Sequence, residues 1–124
     1  MQILLDTHTL FWNLTLQRIK LPKKVQNLLE VADELILPTI VLLELSGLLH
    51  KKRKKKHFDI LLSQIPESKY VIVPLDLAIV EETHRIEGGL ELHDKVIIAT
   101  AKFLDIPILT KDRQISKSYK KTVW

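Results

Sequence analysis

Cysteine is absent from the 124 residues. Neither a disulfide framework nor a thiolate metal site can therefore be built. Long apolar runs are missing too, and no stretch approaches the roughly 20 residues that a membrane-spanning helix needs. The opening Met1-Gln2-Ile3-Leu4-Leu5-Asp6 lacks the basic flank and small-residue cleavage site of a secretory leader. It reads instead as a first core strand. Internal repeats and linkers are also missing, and one lysine-rich tract is the only low-complexity segment. These absences lead us to expect a soluble cytoplasmic protein with a single domain over residues 1–124, long enough to bury a core and too short for two. Hydrophobic residues at 46% and charged residues at 27% are ordinary globular proportions, which excludes a disordered chain.

Charge is unevenly distributed. The formal net charge is +4, yet Lys51, Lys52, Arg53, Lys54, Lys55 and Lys56 form an unbroken cationic run, and without it the chain carries −2. The basicity is thus a local patch. Such a patch suits a polyanion, because each neutralised phosphate releases counterions. It also suits a solvated helix end, where cations complement the dipole.

Apolar segments alternate between strand-like and helix-like lengths, the pattern of an α/β fold. The expected architecture has three layers, with a central parallel sheet of four to five short strands flanked by helices. Ile3-Leu4-Leu5 reads as a strand buried on both faces. A short helix is expected over Thr7–Asn13, and another from Pro22 through Val25, Leu28, Leu29 and Ala32. Leu35-Ile36-Leu37 forms a second strand stopped by Pro38. Thr39 is expected to cap a helix running to the cationic tract. A helix over His57–Ile65 should end at Pro66. Tyr70-Val71-Ile72-Val73 reads as a strand, and Leu75–Ile86 as a helix terminated by Gly88-Gly89. The best amphipathic helix spans Asp94–Leu104, with Val96, Ile97, Ala99, Ala101 and Phe103 inward. Ile106-Pro107-Ile108-Leu109 gives a fourth strand, and Thr122-Val123 a short edge strand.

Four acids stand where solvent-exposed acids are not expected. Asp6 directly follows the first strand, and ligands in open parallel sheets bind outside the carboxyl ends of strands. It can equally cap the helix at Thr7. Glu44 shares a helix face with Ile40, Val41 and Leu48. An unpaired charge there is costly, so a buried Lys or Arg, a metal ion or a pocket mouth should meet it. Gly47, one turn along, would allow close approach of a backbone or ligand. Asp94 begins its helix with Ile97 and Ile98 one turn on, leaning towards the core, though the helix dipole also favours an acid there. Asp112 follows the fourth strand and can alternatively serve a turn or cap. If these acids converge, their mutual repulsion calls for divalent cations, and all-oxygen ligation selects Mg²⁺ or Mn²⁺. Such ions activate water and clamp the oxygens of an in-line phosphoryl displacement.

With these residues in place the sequence resembles the PIN-domain ribonucleases, and in particular the VapC-type toxins of toxin–antitoxin pairs. The resemblance is carried by Leu4-Leu5-Asp6-Thr7-His8-Thr9-Leu10-Phe11-Trp12, Pro38-Thr39-Ile40-Val41-Leu42-Leu43-Glu44-Leu45, His93-Asp94-Lys95-Val96-Ile97-Ile98-Ala99-Thr100-Ala101 and Leu109-Thr110-Lys111-Asp112. The segments occur in the family's order and span nearly the whole chain. The resemblance implies a PIN-like fold and a Mg²⁺- or Mn²⁺-dependent endoribonuclease. Asp6, Glu44, Asp94 and Asp112 would form its acidic catalytic and metal-holding quartet, with Thr110 as the hydroxyl residue two before the last acid. Thr7, Thr110, Glu91 and Lys95 would position the acids or the substrate. A homodimer inhibited by a cognate antitoxin protein is implied as well. Two positions depart from the pattern. Glu91 stands where many members have aspartate, and Lys95 stands where an arginine often follows the third acid. A lysine holds phosphate less specifically than a bidentate guanidinium.

His8 and His93 flank the expected site and raise a metal-free acid–base alternative. That alternative is disfavoured because four acids would repel the phosphate. His50, His57 and His84 read as surface residues. Phe11 and Trp12 read as core or subunit-contact residues before base-stacking platforms. The favoured function is RNA hydrolysis by a metal-activated water, as the toxin of a toxin–antitoxin pair, with Lys51–Lys56 guiding RNA. A catalytically silent RNA- or protein-binding module on the same fold is the main rival. An aspartate-nucleophile phosphatase is a third reading, weakened because His8 stands where that chemistry usually places a second acid.

Overall fold

A computed structural model of the chain describes residues 1–65 and 69–124. Among these, five strands form one sheet in the order β3-β2-β1-β4-β5, all neighbours parallel. The strands are β1 (Gln2–Leu5), β2 (Glu34–Pro38), β3 (Tyr70–Val73), β4 (Ile108–Leu109) and β5 (Thr122–Val123). The helices are α1 (Thr7–Leu14), α2 (Lys23–Val31), α3 (Thr39–Lys51), α4 (Lys55–Gln64), α5 (Leu77–His84), α6 (Leu92–Leu104) and α7 (Arg113–Ser118). No described helix is long and apolar enough to cross a membrane.

Side chains alternate across a strand, yet Ile3, Leu4 and Leu5 in succession are fully buried. Both faces of β1 are therefore covered, which gives the three-layer α/β arrangement expected of continuous apolar strands. The core continues through Leu35, Ile36 and Leu37 of β2 and Ile108 and Leu109 of β4. α3 packs against α1, α4 and α6, and α6 also packs against α5 and α7.

The strand order places the site. From β1 the chain adds β2 and β3 on one side, then returns past β1 to add β4 and β5 on the other. The order reverses between β1 and β4, and a crevice opens at the carboxyl ends of strands at such a switch point. Asp6 is the first residue beyond β1, and Thr110 the first beyond β4.

Several local expectations are corrected. Pro22 caps α2 rather than occupying its first turn, and a 3₁₀ turn at Leu16–Lys20 precedes it. Thr39 is the first residue of α3, and its hydroxyl accepts from the Leu75 N–H at 3.2 Å instead of capping. α5 starts later than expected because the Asp76 carboxylate caps it, accepting from the Ile79 N–H at 3.1 Å. α5 ends at His84, short of the Gly88-Gly89 pair. α6 starts two residues early, at Leu92, and its Phe103 is exposed. The cationic run is not one helix end. Lys51 closes α3, Arg53 adopts a left-handed φ of 54°, and Lys55 and Lys56 open α4. The proposed stop at Pro66 lies outside the described residues.

Candidate active site at the sheet switch point

The carboxyl ends of β1 and β4 are stitched together by side chains. The Asp6 N–H donates to the Leu109 carbonyl at 3.3 Å, and the Thr9 hydroxyl donates to the same carbonyl at 2.9 Å. Asp6 has extended backbone and caps α1, its Oδ1 accepting from the Thr9 N–H at 2.9 Å. Its Oδ2 accepts from the Thr110 hydroxyl. That hydroxyl in turn accepts from the Asp112 N–H at 3.0 Å. Asp112 caps α7, one oxygen accepting from the N–H groups of Gln114 at 2.7 Å and Ile115 at 3.3 Å. Two acids are thereby fixed to helix N-termini, where backbone N–H groups hold a carboxylate in one orientation.

The other two acids come from helices. Glu44 on α3 shares a turn with buried Val41 and Leu45. Its Oε1 accepts from the Thr7 hydroxyl, and its Oε2 lies 2.6 Å from His93 Nε2. The partner demanded by a carboxylate on an apolar face is thus a histidine and a threonine, not a lysine or arginine. Asp94 stands in the first turn of α6 with Oδ1 3.3 Å from the same His93 Nε2. His93 Nδ1 faces Glu91 at 3.4 Å.

All four acids line one cavity of about 250 Å³, together with Thr7, His8, Leu48, His93, Ile97 and Ile115. Glu91 lies on an adjoining opening of about 340 Å³ that shares His93, Asp94 and Asp112. Lys95 is half-buried on α6 and lines neither opening. Gly47 faces open space, with no other backbone packed against it among the described residues. Lys51–Lys56 are all exposed, and only Lys52 lines a cavity next to the acids.

The electrostatics follow from this placement. Asp6 is only 7% exposed, and burial pushes its carboxyl above the ordinary carboxylate value. The hydrogen bonds from Thr110 and Thr9 and the charge of His8 oppose that shift. Asp94 is also raised, chiefly by burial. His93 pulls it down, while the negative charges of Asp112, Glu44 and Glu91 push it up. The acids therefore feel one another, and a positive charge among them would relieve the repulsion.

Whether the residues fit a metal ion can be judged from the donor set. Carboxylate and hydroxyl oxygens converge from four elements, the donor chemistry of a hard divalent cation. Among the described residues no three His, Asp or Glu side chains are drawn together as a ready-made ligand set. Thr7, Thr110 and His93 each hold a carboxylate oxygen of the cluster. The donor chemistry of the cavity fits such an ion.

Sequence reasoning placed His93 beside the site as an alternative acid–base partner of His8, missed its contacts with Glu44 and Asp94, and gave Thr9 no role. The signal for His93 was its position beside Asp94 in the first turn of α6, on the edge facing Glu44. Nothing in the sequence marked Thr9, whose hydroxyl spans to a carbonyl 100 residues away.

The fold recurs in solved structures. VapBC2 from Rickettsia felis, described as bound to a DNA fragment from its promoter, superposes with a TM-score of 0.77 at 16% identity, covering 100% of this chain and 98% of that one. FitAcB from Neisseria gonorrhoeae gives 0.72 at 24% identity, covering 98% and 96%. VapC20 from Mycobacterium tuberculosis, described as a sarcin–ricin loop cleaving toxin, gives 0.70 at 14% identity, covering 93% of each. No curated protein matches this sequence. The profile of the PIN domain matches residues 3–121, nearly the whole length, and so takes in every acid of the cavity. This chain belongs to the PIN domain family.

Proposed function

We propose that this chain is a Mg²⁺- or Mn²⁺-dependent endoribonuclease, the toxin of a toxin–antitoxin pair, acting as a single catalytic domain. The observation that carries the reading is the meeting of Asp6, Glu44, Asp94 and Asp112 around one cavity at the sheet switch point. Membership of the PIN family supports nuclease chemistry, and the toxin–antitoxin descriptions of the structures that share the fold support the toxin role.

In this reading Asp6, Glu44, Asp94 and Asp112 hold the ion. When bound, it supplies Lewis acidity and charge neutralisation at the phosphate. Thr7 orients Glu44, and Thr110 orients Asp6 while being held by the Asp112 N–H. His93 stands between Glu44 and Asp94, with its Nε2 facing a carboxylate oxygen of each. Glu91 extends the acidic rim, and Lys95 adds a positive charge near the start of α6. The exposed Lys51–Lys56 turn draws RNA by its charge. Homodimerisation, inhibition by a cognate antitoxin and a cytoplasmic location complete the proposal.

The test is cleavage of RNA by the purified chain. Cleavage should vanish with EDTA, return with Mn²⁺, and be absent in Asp6→Asn with an unchanged circular dichroism spectrum. Cleavage that persists under chelation would overturn metal dependence and leave His8 and His93 as the acid–base pair.

A further inference from the structure

Beside the acidic cavity lies a second cleft of about 220 Å³ with the opposite character. The two share Thr7, His8 and Leu48 as a common wall. Among the described residues the charged side chains lining the second cleft are both cationic, Lys20 and Lys52. Trp12 lines the cleft, half-buried, packed against the core and with its ring centroid 5.9 Å from that of Trp124 at an interplanar angle of 52°. The His8 ring centroid stands 5.7 Å from that of Trp12, at an interplanar angle of 50°. The Nζ atoms of Lys20 and Lys111 lie 5.6 Å and 5.9 Å from the Trp12 ring centroid.

An aromatic platform ringed by cations is what single-stranded nucleic acid requires. Every base offers a face for stacking, and every linkage offers a phosphate for an ammonium. Cation–π contacts of exposed lysines are weak, so Lys20 and Lys111 can turn from the ring to phosphate at small cost. A strand whose phosphate sits at the acids has its neighbouring nucleotide within reach of this cleft, because the two openings share a wall. An acidic cavity alone repels RNA; an adjoining cationic aromatic cleft supplies the missing attraction. We infer that the cleft between Trp12, His8, Lys20 and Lys52 is a nucleotide subsite, which takes the base next to the scissile phosphate by stacking and its phosphates by the lysines. This rests on the nuclease reading and adds to it where the substrate is gripped.

The experiment uses the full chain in EDTA, with hexauridylate and a charge-matched abasic ribose-phosphate hexamer as probes. The Trp124→Phe background keeps an aromatic ring against Trp12 and leaves Trp12 as the sole tryptophan reporter, and every variant is compared within it. Hexauridylate should quench Trp12 and bind about 5- to 160-fold tighter than the abasic hexamer, the value of one stacked base. Trp12→Leu, followed by fluorescence anisotropy of labelled probes, should erase that preference and keep the affinity for the abasic hexamer. Lys52→Glu, an exposed change that does not threaten folding, should weaken both probes and flatten the salt dependence by about 0.7 in slope. Trp12→Leu that still prefers the base overturns the subsite. So does a Trp12→Leu chain that binds both hexamers as the parent does, the result expected of a cleft that docks a protein segment. A parent chain that cuts RNA while ignoring the base overturns the subsite alone. Base-dependent binding by a chain that leaves RNA uncut with Mn²⁺ overturns the nuclease reading and keeps the subsite.

Discussion

Asp112 allows a structural and a chemical role to be separated by choice of substitution. One of its oxygens accepts from the Gln114 N–H at 2.7 Å and the Ile115 N–H at 3.3 Å, which caps α7. Asparagine caps a helix about as well as aspartate, whereas loss of the cap to alanine costs about 1 kcal/mol. For 124 residues, an unfolding entropy of about 2.1 cal/mol/K per residue makes 1 kcal/mol equal to about 4 °C in Tm. Asp112→Ala should therefore melt about 4 °C below Asp112→Asn in EDTA, because both lose the same charge from the acid cluster and only the alanine loses the cap. Both should lose RNA cleavage, because both remove a carboxylate from the cavity. Differential scanning calorimetry measures the first effect, and single-turnover cleavage with Mn²⁺ the second. An Asp112→Asn chain that melts normally and still cuts RNA would refute the reasoning, leaving Asp112 as a cap and the quartet short of its fourth member.

Mn²⁺ at about ten times its dissociation constant should stabilise the parent by about 1.4 kcal/mol, close to 5 °C on the same scale. Asp94→Asn should show little of this rise, and an equal rise in both proteins would place the ion elsewhere. In EDTA, the raised Asp6 carboxyl binds more protons folded than unfolded, so its contribution favours folding at acid pH. That contribution is lost as pH rises through the raised value. The Tm of Asp6→Asn minus that of the parent should accordingly grow as pH climbs above the ordinary carboxylate range, then level off; a gap that shrinks would contradict the burial of Asp6. Away from the site, the Tyr119 hydroxyl donates to the Ile106 carbonyl at 2.7 Å in a buried setting. Tyr119→Phe should cost about 1 kcal/mol, or about 4 °C, with RNA cleavage unchanged.

β1 and β2 were legible because burial on both faces writes the continuous apolar runs Ile3-Leu4-Leu5 and Leu35-Ile36-Leu37, whereas edge strand Tyr70–Val73, with Val71 and Ile72 exposed, was legible from its β-branched and aromatic residues. Element ends were less legible for two reasons. Thr39 is drawn away from capping by the Leu75 N–H across the fold, and the start of α5 is set by a local cap, Asp76 on the Ile79 N–H, that the apolar period of Leu75–Ile86 hides. Glu44 was recognisable as an acid on the wrong face, but its partner was not, since His93 lies 49 residues away on α6. Lys20 and Lys52 meet across a cleft for the same reason, and only the fold puts them beside Trp12.

Asp6 and Asp112 show why a cap and a ligand need not be rival interpretations. A carboxylate has two oxygens, and a helix N-terminus occupies one of them. For Asp112 the capping oxygen accepts both α7 N–H groups, which leaves the other to the cavity. For Asp6 the second oxygen goes to the Thr110 hydroxyl, a partner that can rotate its proton away. The cap thereby fixes the side chain in a single rotamer at a strand's carboxyl end without consuming its charge. Glu44 and Asp94 have no such anchor and are held by Thr7 and His93 instead. In the proposed metal site, two acids would thus be anchored by helix caps, and two, from α3 and α6, by side-chain partners alone. Movement of Glu44 and Asp94 on Mn²⁺ addition, with Asp6 and Asp112 stationary, is the structural change this division of labour requires.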